Sequence, residues 1–274
     1  MSRVATIILN RNLPEVTDKL HDSLLEKNNA ISDMYIVEAG SDSDNLSKNT
    51  TWYNDSPDVM KNGLRYNRGM NYGLCKLIEE NKFKTYDAFF FLTNDIEFEE
   101  ASIIEKLMQI MDEHPRLGIL SPCSKRWGER LLLQDQKTKY FWFIHPNAFL
   151  MRREFIEDIC NVSEKNYMNF LFDGSNFRGY LSEVEIIAKA YANNWAAGIT
   201  TEVWSNENES YLLNKSDLIK TEKYEDNLKL YVEEGKKWIR NKYGFNSHWS
   251  MQQYSKDFYD SFFKFNPQYN KYKV

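Results

Sequence analysis

The sequence predicts an α/β protein with a mostly parallel central sheet, helices on its faces and a helical C-terminal extension. Short apolar runs alternate with segments of helical periodicity, as they do in βαβ units. Polar residues directly follow the first of these apolar runs. Beyond residue 215 the composition shifts towards aromatic and lysine residues in a helical pattern. These observations predict a sheet domain over residues 1–214 and an extension over residues 215–274.

Each element follows from the local pattern of apolar residues. Strands are expected at residues 4–9, 34–37, 88–92, 117–120, 140–144, 147–152 and 198–203. Helices are expected from Pro14, from Asn67, around residues 103–111 and over residues 182–193. The polar, turn-rich stretch 42–62 is expected to be an irregular connection.

Composition and charge argue against several classes of protein. The 274 residues are 42% hydrophobic and 15% aromatic, which is enough for a sizeable core. The net charge of -5 argues against nucleic acid as the main partner, because phosphate neutralisation needs a basic excess. The three cysteines are widely spaced and odd in number, which favours free thiols over disulfides or a zinc site. No signal peptide and no apolar run of ~20 residues is recognisable, so a cytoplasmic location is expected.

Polar clusters follow three of the expected strands. In a parallel α/β sheet, ligands bind at the carboxyl ends of the strands. One carboxylate in such a place is usually a solvated turn residue, but three clusters behind successive strands favour a binding site. The clusters comprise Asn10 with Arg11, Glu38 with Ser41, and Asn94 with Asp95.

Asp95 is the most informative of these residues. It follows the most apolar segment of the chain, residues 88–92, so the backbone delivers its carboxylate to a strand end. A carboxylate held there suits Mg²⁺ or Mn²⁺, which take oxygen ligands and share them with substrate phosphates. The alternative is a helix N-cap, since Asp caps helices well.

A second acidic cluster, Ser182-Glu183-Val184-Glu185, opens a late amphipathic helix. A carboxylate at such a position can act as a general base that removes the proton of a substrate hydroxyl. Residues two apart on a helix diverge by roughly 200°, so Glu183 and Glu185 face different ways. A capping box of Ser182 with Glu185 would explain the second glutamate without catalysis, which leaves Glu183 as the better candidate base.

Taken in order, these motifs resemble family 2 GT-A glycosyltransferases, including rhamnosyltransferase-like enzymes of bacterial surface polysaccharide synthesis. The similarity covers roughly residues 4–210 and lies in five motifs. These are a strand then Asn-Arg, a strand then acidic-x-Gly-Ser, Asn-x-Gly before a helix, an apolar strand ending in Asp, and the acidic pair of the late helix. The resemblance implies a Rossmann-like GT-A sheet. It also implies an inverting transferase that moves a sugar from a UDP-, dTDP- or GDP-linked donor to a glycan or lipid-linked acceptor.

The resemblance assigns roles to individual residues. Glu183 falls on the catalytic base, and Asp95 falls on the aspartate that binds a divalent metal, Mg²⁺ or Mn²⁺. The implied donor-binding positions are Asn10, Arg11, Glu38, Ser41, Asn67, Gly69, Asn94 and Asp95, with Glu38 on the nucleobase or ribose. Glu185, Arg178 and Trp204 are expected near the acceptor.

Departures from the family pattern leave alternatives open. Thr93 and Asn94 replace aspartates found in many members, and no histidine stands near Trp204 or Ser205. A catalytically degenerate binding or scaffold protein is therefore one alternative. A sugar-nucleotide pyrophosphorylase fits less well, because residues 10–14 lack the glycines of its phosphate loop.

The extension from residue 235 onwards is basic and interleaved with aromatic side chains. Such a segment either packs its aromatic residues on the core or presents a basic amphipathic surface. In the second case it would meet a lipid-linked acceptor or the inner face of the cytoplasmic membrane.

Overall fold

The computed structural model describes residues 3–133, 136–145 and 148–274 of the chain. Its strands are β1 (Val4–Asn10), β2 (Ser32–Glu38), β3 (Thr50–Tyr53), β4 (Ala88–Thr93), β5 (Ile96–Phe98), β6 (Leu117–Cys123), β7 (Thr138–Tyr140), β8 (Ala148–Arg152) and β9 (Ala196–Glu207). The helices are α1 (Pro14–Asn28), α2 (Pro57–Asn62), α3 (Arg65–Glu79), α4 (Ile103–Glu113), α5 (Arg153–Ile159), α6 (Ser182–Ala192), α7 (Ser210–Asn214), α8 (Tyr224–Tyr243) and α9 (His248–Phe265).

The strands form one sheet in the order β3-β2-β1-β4-β8-β6-β9-β5, with β7 pairing on β9. Strands β1, β2, β3 and β4 pair in parallel. Strand β8 runs antiparallel to both β4 and β6, and β6 is parallel to β9. It follows that β6 and β9 point the same way as the first four strands, and all six carboxyl ends meet at one edge. The expected α/β class with a mostly parallel, Rossmann-like sheet is confirmed.

Close packing of α3 on the sheet depends on two glycines of the helix. A Cβ at Gly69 would lie 2.4 Å from Leu9 Cδ1, and one at Gly73 would lie 2.9 Å from Ile7 Cγ2. Larger residues would push the helix away from β1. The glycines therefore bring α3 against the strand that ends at the candidate site.

The structure differs from the sequence-based expectations in several elements. The stretch 42–62 contains β3 and α2 rather than an irregular connection. The strand expected at 140–144 ends at Tyr140 and begins earlier, at Thr138. The strand expected at 147–152 is present as β8 from Ala148, while Pro146 and Asn147 lie outside the described residues. The short elements are stabilised by pairing with distant strands, which a local pattern does not show.

The C-terminal extension is helical and packs on the sheet domain. Tyr259, Phe262 and Phe263 of α9 belong to the same buried apolar cluster as the sheet. Trp238 and Ile239 of α8 form a second buried cluster together with residues of α6. Within the described ranges, no helix has the length and apolar character needed to cross a membrane. The aromatic residues of this segment thus serve largely as packing.

Candidate functional site

A cleft of about 260 Å³ opens at the shared carboxyl edge of β1, β2 and β4. Polar groups from the ends of β1 and β4 converge there with Arg65 and a later segment of the chain. The residues that line it are Leu9, Asn10, Arg11, Leu13, Ala39, Arg65, Thr93, Asn94, Asp95, Tyr211, Ile219 and Thr221. The structure therefore brings Asn10, Arg11, Asn94 and Asp95 together, as the sequence predicted.

Glu38 lies beneath this cleft rather than in it. The residue is fully buried. Its Oε1 accepts hydrogen bonds from Ser47 N at 2.8 Å and Thr50 Oγ1 at 2.9 Å, and its Oε2 accepts one from Ser41 Oγ at 2.6 Å. Asn10 Nδ2 donates to both oxygens, at 3.1 and 2.9 Å. The carboxylate is thus saturated by the chain, so its observed role is to fix the loop after β2 rather than to face a nucleoside.

Asn10 also connects the end of β1 to the end of β4 by hydrogen bonds. Its Oδ1 accepts hydrogen bonds from Leu13 N and from Asn94 Nδ2, both at 3.1 Å. Asn94 Nδ2 also donates to Thr17 Oγ1 at 2.9 Å. The buried side chains of Asn10 and Glu38 therefore stabilise the turn that contains Asp95.

Asp95 lies in the turn between β4 and β5, so it is not the N-cap of a helix. Its Oδ1 is buried, and no donor in the described part of the chain lies within hydrogen-bond distance. Burial raises the pKa of Asp95 to about 6, and the carboxylates of Glu207 and Glu209 act in the same direction, while a hydrogen bond from Thr93 opposes them. A buried acceptor without a donor is costly, which is typical of a position that awaits a cation or a ligand proton.

The residues at Asp95 fit a divalent metal of the kind that substrate phosphates help to bind. Among the described residues, no group of three or more His, Cys, Asp or Glu side chains could form a complete protein cage. Asp95 Oδ1 and the nearby Glu207 carboxylate would supply one or two oxygen ligands. Mg²⁺ and Mn²⁺ sites of this type keep water and phosphate oxygens as the remaining ligands.

Two guanidinium groups face the same cleft. Arg11 is held by the carbonyl oxygens of Asn62 at 3.0 Å and Lys61 at 3.1 Å. Burial, together with the charge of Arg65, lowers the pKa of Arg11 to about 10, while the carboxylates of Asp42 and Glu222 oppose this shift. In the part of the chain described, Nε of Arg11 and Nε of Arg65 are buried without an acceptor. Arg65 also has an ion pair with Glu222 at 3.4 Å, so the unused donors are the two Nε–H groups. Two cations in one cleft, each with an unused donor, favour an anion.

A segment from the C-terminal extension crosses the mouth of this cleft. Ile219 and Thr221 line the cavity, and Asn12 Nδ2 donates to the carbonyl of Leu218 at 2.7 Å. Arg65 Nη2 donates to Thr221 Oγ1 at 2.8 Å. Glu222 follows directly, and its carboxylate accepts from Nη2 of Arg178 at 2.7 Å. The extension therefore contributes walls to the site.

Glu183 is positioned by an unusual start to α6. The N-cap residue is Leu181, with a φ of 58°, and Ser182 Oγ donates to the carbonyl of Gly179. The expected capping box of Ser182 and Glu185 is therefore not formed. A left-handed backbone at a non-glycine residue stores strain, and such strain is concentrated at functional sites. This start of the helix places Glu183 in the first turn of α6, with its carboxylate directed inwards.

The Glu183 carboxylate is 5% exposed, and burial raises its pKa to about 7. His145 lowers the pKa by its charge and Glu129 raises it. Tyr66, Tyr180 and Tyr231 are the other titratable groups whose pKa the Glu183 charge raises, so they face it from α3, from the preceding loop and from α8. A carboxyl group whose pKa lies near neutrality is suited to act as a general base.

His145 lies beside Glu207, at the end of β9 next to Asp95. His145 Nε2 lies 3.8 Å from a carboxylate oxygen of Glu207. Glu207 pairs in register with Ile96, next to Asp95, and the following residue, Asn208, donates its N–H to the Asp95 carbonyl at 2.8 Å. The charge of His145 also acts on Glu183, whose pKa it lowers.

Glu185 points away from Glu183, as helix geometry predicted. It is 2% exposed and accepts hydrogen bonds from Tyr243 Oη at 2.6 Å and Lys242 Nζ at 2.7 Å. Arg178 is likewise engaged within the protein, by Glu222 and Glu234. Both residues tie α6 and its preceding loop to the extension, so the structure gives them packing roles.

The remaining predicted site residues lie around the cleft without lining it. Asn67 Nδ2 donates to the carbonyls of Asp173 and Asn176, both at 3.1 Å. Gly69 packs on Leu9 as described above. Ser41 is fully buried between Glu38 and the Asn12 N–H. The Lys125 ammonium lies 5.6 Å from the centre of the Trp204 ring, and the backbone N–H of Trp204 donates to Glu100 Oε2 at 3.1 Å.

Sequence reasoning missed Arg65, His145 and Glu207 as members of the site. Arg65 has a positive φ of 57° just before the Asn67 motif, and an arginine in the sequence does not indicate this backbone conformation. His145 lies between the strands expected at 140–144 and 147–152. Glu207 comes beyond the expected end of the last strand at residue 203. An acidic residue just after a long strand was the one available signal.

Comparisons with known proteins give a likeness of fold. No family model matches the chain, and no curated protein matches it in sequence. It resembles the mannosyltransferase PcManGT from Pyrobaculum calidifontis in complex with GDP-Man and Mn2+, at 10% identity over 72% of this chain, with a TM-score of 0.48. It spans about half of that protein, 54% of its length.

Two further solved structures resemble the chain. S. aureus TarS 1-349 is 12% identical over 88% of this chain and 73% of its own, with a TM-score of 0.49. Glucosyl-3-phosphoglycerate synthase from Mycobacterium tuberculosis, in complex with Mn2+, UDP-Glc and phosphoglyceric acid, is 9% identical over 70% of this chain and 66% of its own, with a TM-score of 0.43. At these identities the likeness concerns the fold alone, so the chemistry of the cleft has to be judged from its own residues.

Proposed function

We propose that the protein is an inverting glycosyltransferase that moves a sugar from a nucleotide-sugar donor to an acceptor hydroxyl. The observation that carries this proposal is the pairing of two features at one sheet edge. One is a buried carboxylate, Glu183, with a pKa of about 7. The other is a neighbouring cleft in which Arg11 and Arg65 offer unused donors to an anion.

Donor binding would use the cleft at the ends of β1 and β4. The diphosphate of a UDP-, dTDP- or GDP-linked sugar would accept from Arg11 and Arg65, while Asn10 and Asn94 hold the turn in place. A divalent metal, when bound at Asp95, would neutralise charge on the diphosphate. Because Glu38 is sealed by its own loop, it would orient this edge rather than touch the nucleoside.

The transfer step would use Glu183 as the general base. Its carboxylate would take the proton of the acceptor hydroxyl as that oxygen forms a bond to the anomeric carbon of the donor. The bond between the anomeric carbon and the phosphate oxygen breaks at the same time, and its electron pair leaves with the nucleoside diphosphate. Attack opposite the leaving group inverts the anomeric configuration. A glycan or lipid-linked acceptor in surface polysaccharide synthesis would suit this chemistry.

Calorimetric titration of UDP, GDP and dTDP, each with and without Mn²⁺, tests the donor half of this proposal. We expect one nucleotide to bind with metal-enhanced affinity to wild-type protein and to lose that enhancement in Asp95→Ala. Glu99→Ala, which removes the exposed acid that directly follows β5, serves as the matched control and should bind normally. If no nucleotide binds under any condition, the glycosyltransferase proposal is wrong and the scaffold alternative is favoured.

The stereochemistry of the product tests the transfer half. With the donor nucleotide known, the anomeric coupling constant of the product is read by NMR. We expect the configuration opposite to that of the donor, and a loss of turnover of about 10²–10⁴-fold in Glu183→Gln. Retention of configuration would contradict a single displacement with Glu183 as base.

A further inference from the structure

A half-exposed tryptophan stands beside His145, in the loop that follows β6. Trp127 is 39% exposed, and its ring stacks on His145 with centroids 3.7 Å apart and an interplanar angle of 25°. One face of the indole is thus fixed against the imidazole. Because β6 points the same way as β1 and β4, its loop emerges at the same edge as the cleft.

Two contacts fix this loop against the site. Glu129 is 9% exposed, and its Oε1 accepts the backbone N–H of His145 at 2.5 Å. Arg126 Nη1 donates to the carbonyl of Glu207 at 2.7 Å. His145 and Glu207 lie next to Asp95, and the His145 charge also lowers the pKa of Glu183. The loop that carries Trp127 is therefore fixed to the residues next to Asp95.

The exposed charges of the loop are positive. Arg126 and Arg130 are exposed, whereas Glu129, which lies between them, is turned inwards. Lys125 is also exposed, but its charge is matched by Glu99 at 2.5 Å. The partner of Arg126 is a neutral carbonyl, so its charge remains available to an anion.

We propose that Trp127 and the arginines of its loop form the acceptor subsite, which takes a sugar ring bearing a phosphate. The inference rests on the proposed function and names the acceptor class for the same site. The C–H face of a pyranose ring packs against the negative face of an indole, and ring stacking fixes its orientation. A phosphate on that sugar would meet Arg126 or Arg130. A hydroxyl of the stacked ring would then lie towards Glu183.

The shared chemistry is a glycosyl phosphate, which occurs both as a free sugar phosphate and as the headgroup of a lipid carrier. Binding is measured by saturation-transfer NMR, in the presence and absence of the nucleotide that binds best. The probes are the 1-phosphates and the methyl glycosides of glucose, galactose and mannose. Vesicles of phosphatidylcholine with and without phosphatidylglycerol test direct membrane contact of the loop.

Three variants separate the contributions. Trp127→Ala should weaken binding of the sugar phosphates and of the methyl glycosides at least tenfold. Arg130→Ala should weaken only the sugar phosphates. Trp249→Ala is the matched control, because Trp249 is 68% exposed and also contacts a histidine, His248, at 4.5 Å, but lies on α9. It should bind every probe like the wild type.

Each other outcome overturns part or all of this inference. Equal binding by Trp127→Ala and Trp249→Ala, or no binding of any sugar by wild-type protein, excludes the stacking site. Equal affinity for phosphates and methyl glycosides excludes the phosphate contact. Vesicle binding that depends on Trp127, without sugar binding, assigns the loop to a membrane surface instead. Sugar binding through Trp127 in a protein that binds no nucleotide supports the subsite and refutes the transferase.

Discussion

Replacing Glu183 by Gln should stabilise the protein at alkaline pH and leave it nearly unchanged at acid pH. Burial raises the pKa of Glu183 from the ordinary 4.5 to about 7. The folded protein therefore holds a proton that the unfolded chain releases between these values, so stability falls as the pH rises from 4.5 to 7. At about 1.4 kcal/mol per pKa unit, the charged Glu183 carboxylate lowers the free energy of unfolding by about 3 kcal/mol above pH 7.

Gln is nearly isosteric with the protonated acid and carries no charge to desolvate. We expect Glu183→Gln to raise the melting temperature by on the order of 5–10 °C at pH 8 and by under ~3 °C at pH 5. Differential scanning calorimetry at the two pH values measures both shifts without any substrate. The same variant should lose transferase activity, since a stabilising substitution that abolishes function is typical of a catalytic residue.

Glu185→Gln is the matched control, from the same helix and with similar burial. Its carboxylate accepts from Tyr243 and Lys242, so neutralising it leaves the Lys242 ammonium with Asp173 as its remaining acid. We expect a loss of about 1–3 kcal/mol at pH 8, opposite in sign to Glu183→Gln. If the change in stability of Glu183→Gln relative to the wild type is the same at both pH values, or is a loss at pH 8, the Glu183 charge is not desolvated. The base assignment then loses its physical support.

Three further substitutions test the construction of the site. Arg65→Gln should weaken binding of the donor nucleotide about tenfold, measured by calorimetry, whereas the control Arg153→Gln on α5 should not. If the two variants bind the nucleotide with equal affinity, Arg65 is not part of the anion site. Gly69→Ala should cost about 1–3 kcal/mol in urea unfolding, because its Cβ would lie 2.4 Å from Leu9 Cδ1. Glu38→Gln should lower the free energy of unfolding by about 2–4 kcal/mol and speed amide exchange over residues 39–50, because it breaks the buried hydrogen bonds that fix this loop. Unchanged amide exchange would contradict that role.

The sequence by itself predicted the architecture, and it named Asp95 and Glu183 as candidate site acids. The alternation of apolar runs with helical segments predicted the parallel strands, because a strand buried on both faces has to be apolar throughout. Asp95 could be placed because it follows such a run after two small polar residues. Glu183 could be separated from Glu185 because the helical period turns residues two apart to different sides. Each of these inferences depends on local periodicity, which the residue order records directly.

Only the tertiary structure decided which polar residues face the cleft. Glu38 and Asn67 have the residue types of binding groups, yet each is saturated or engaged by a loop that folds over it. Arg65 joins the site because a segment more than 150 residues later, at Thr221, packs against it. His145 joins it because the loop after β6 stacks Trp127 on its ring and places Glu129 on its backbone N–H. Contacts at such separations depend on how loops close over the sheet edge, and no local pattern in the sequence carries that information.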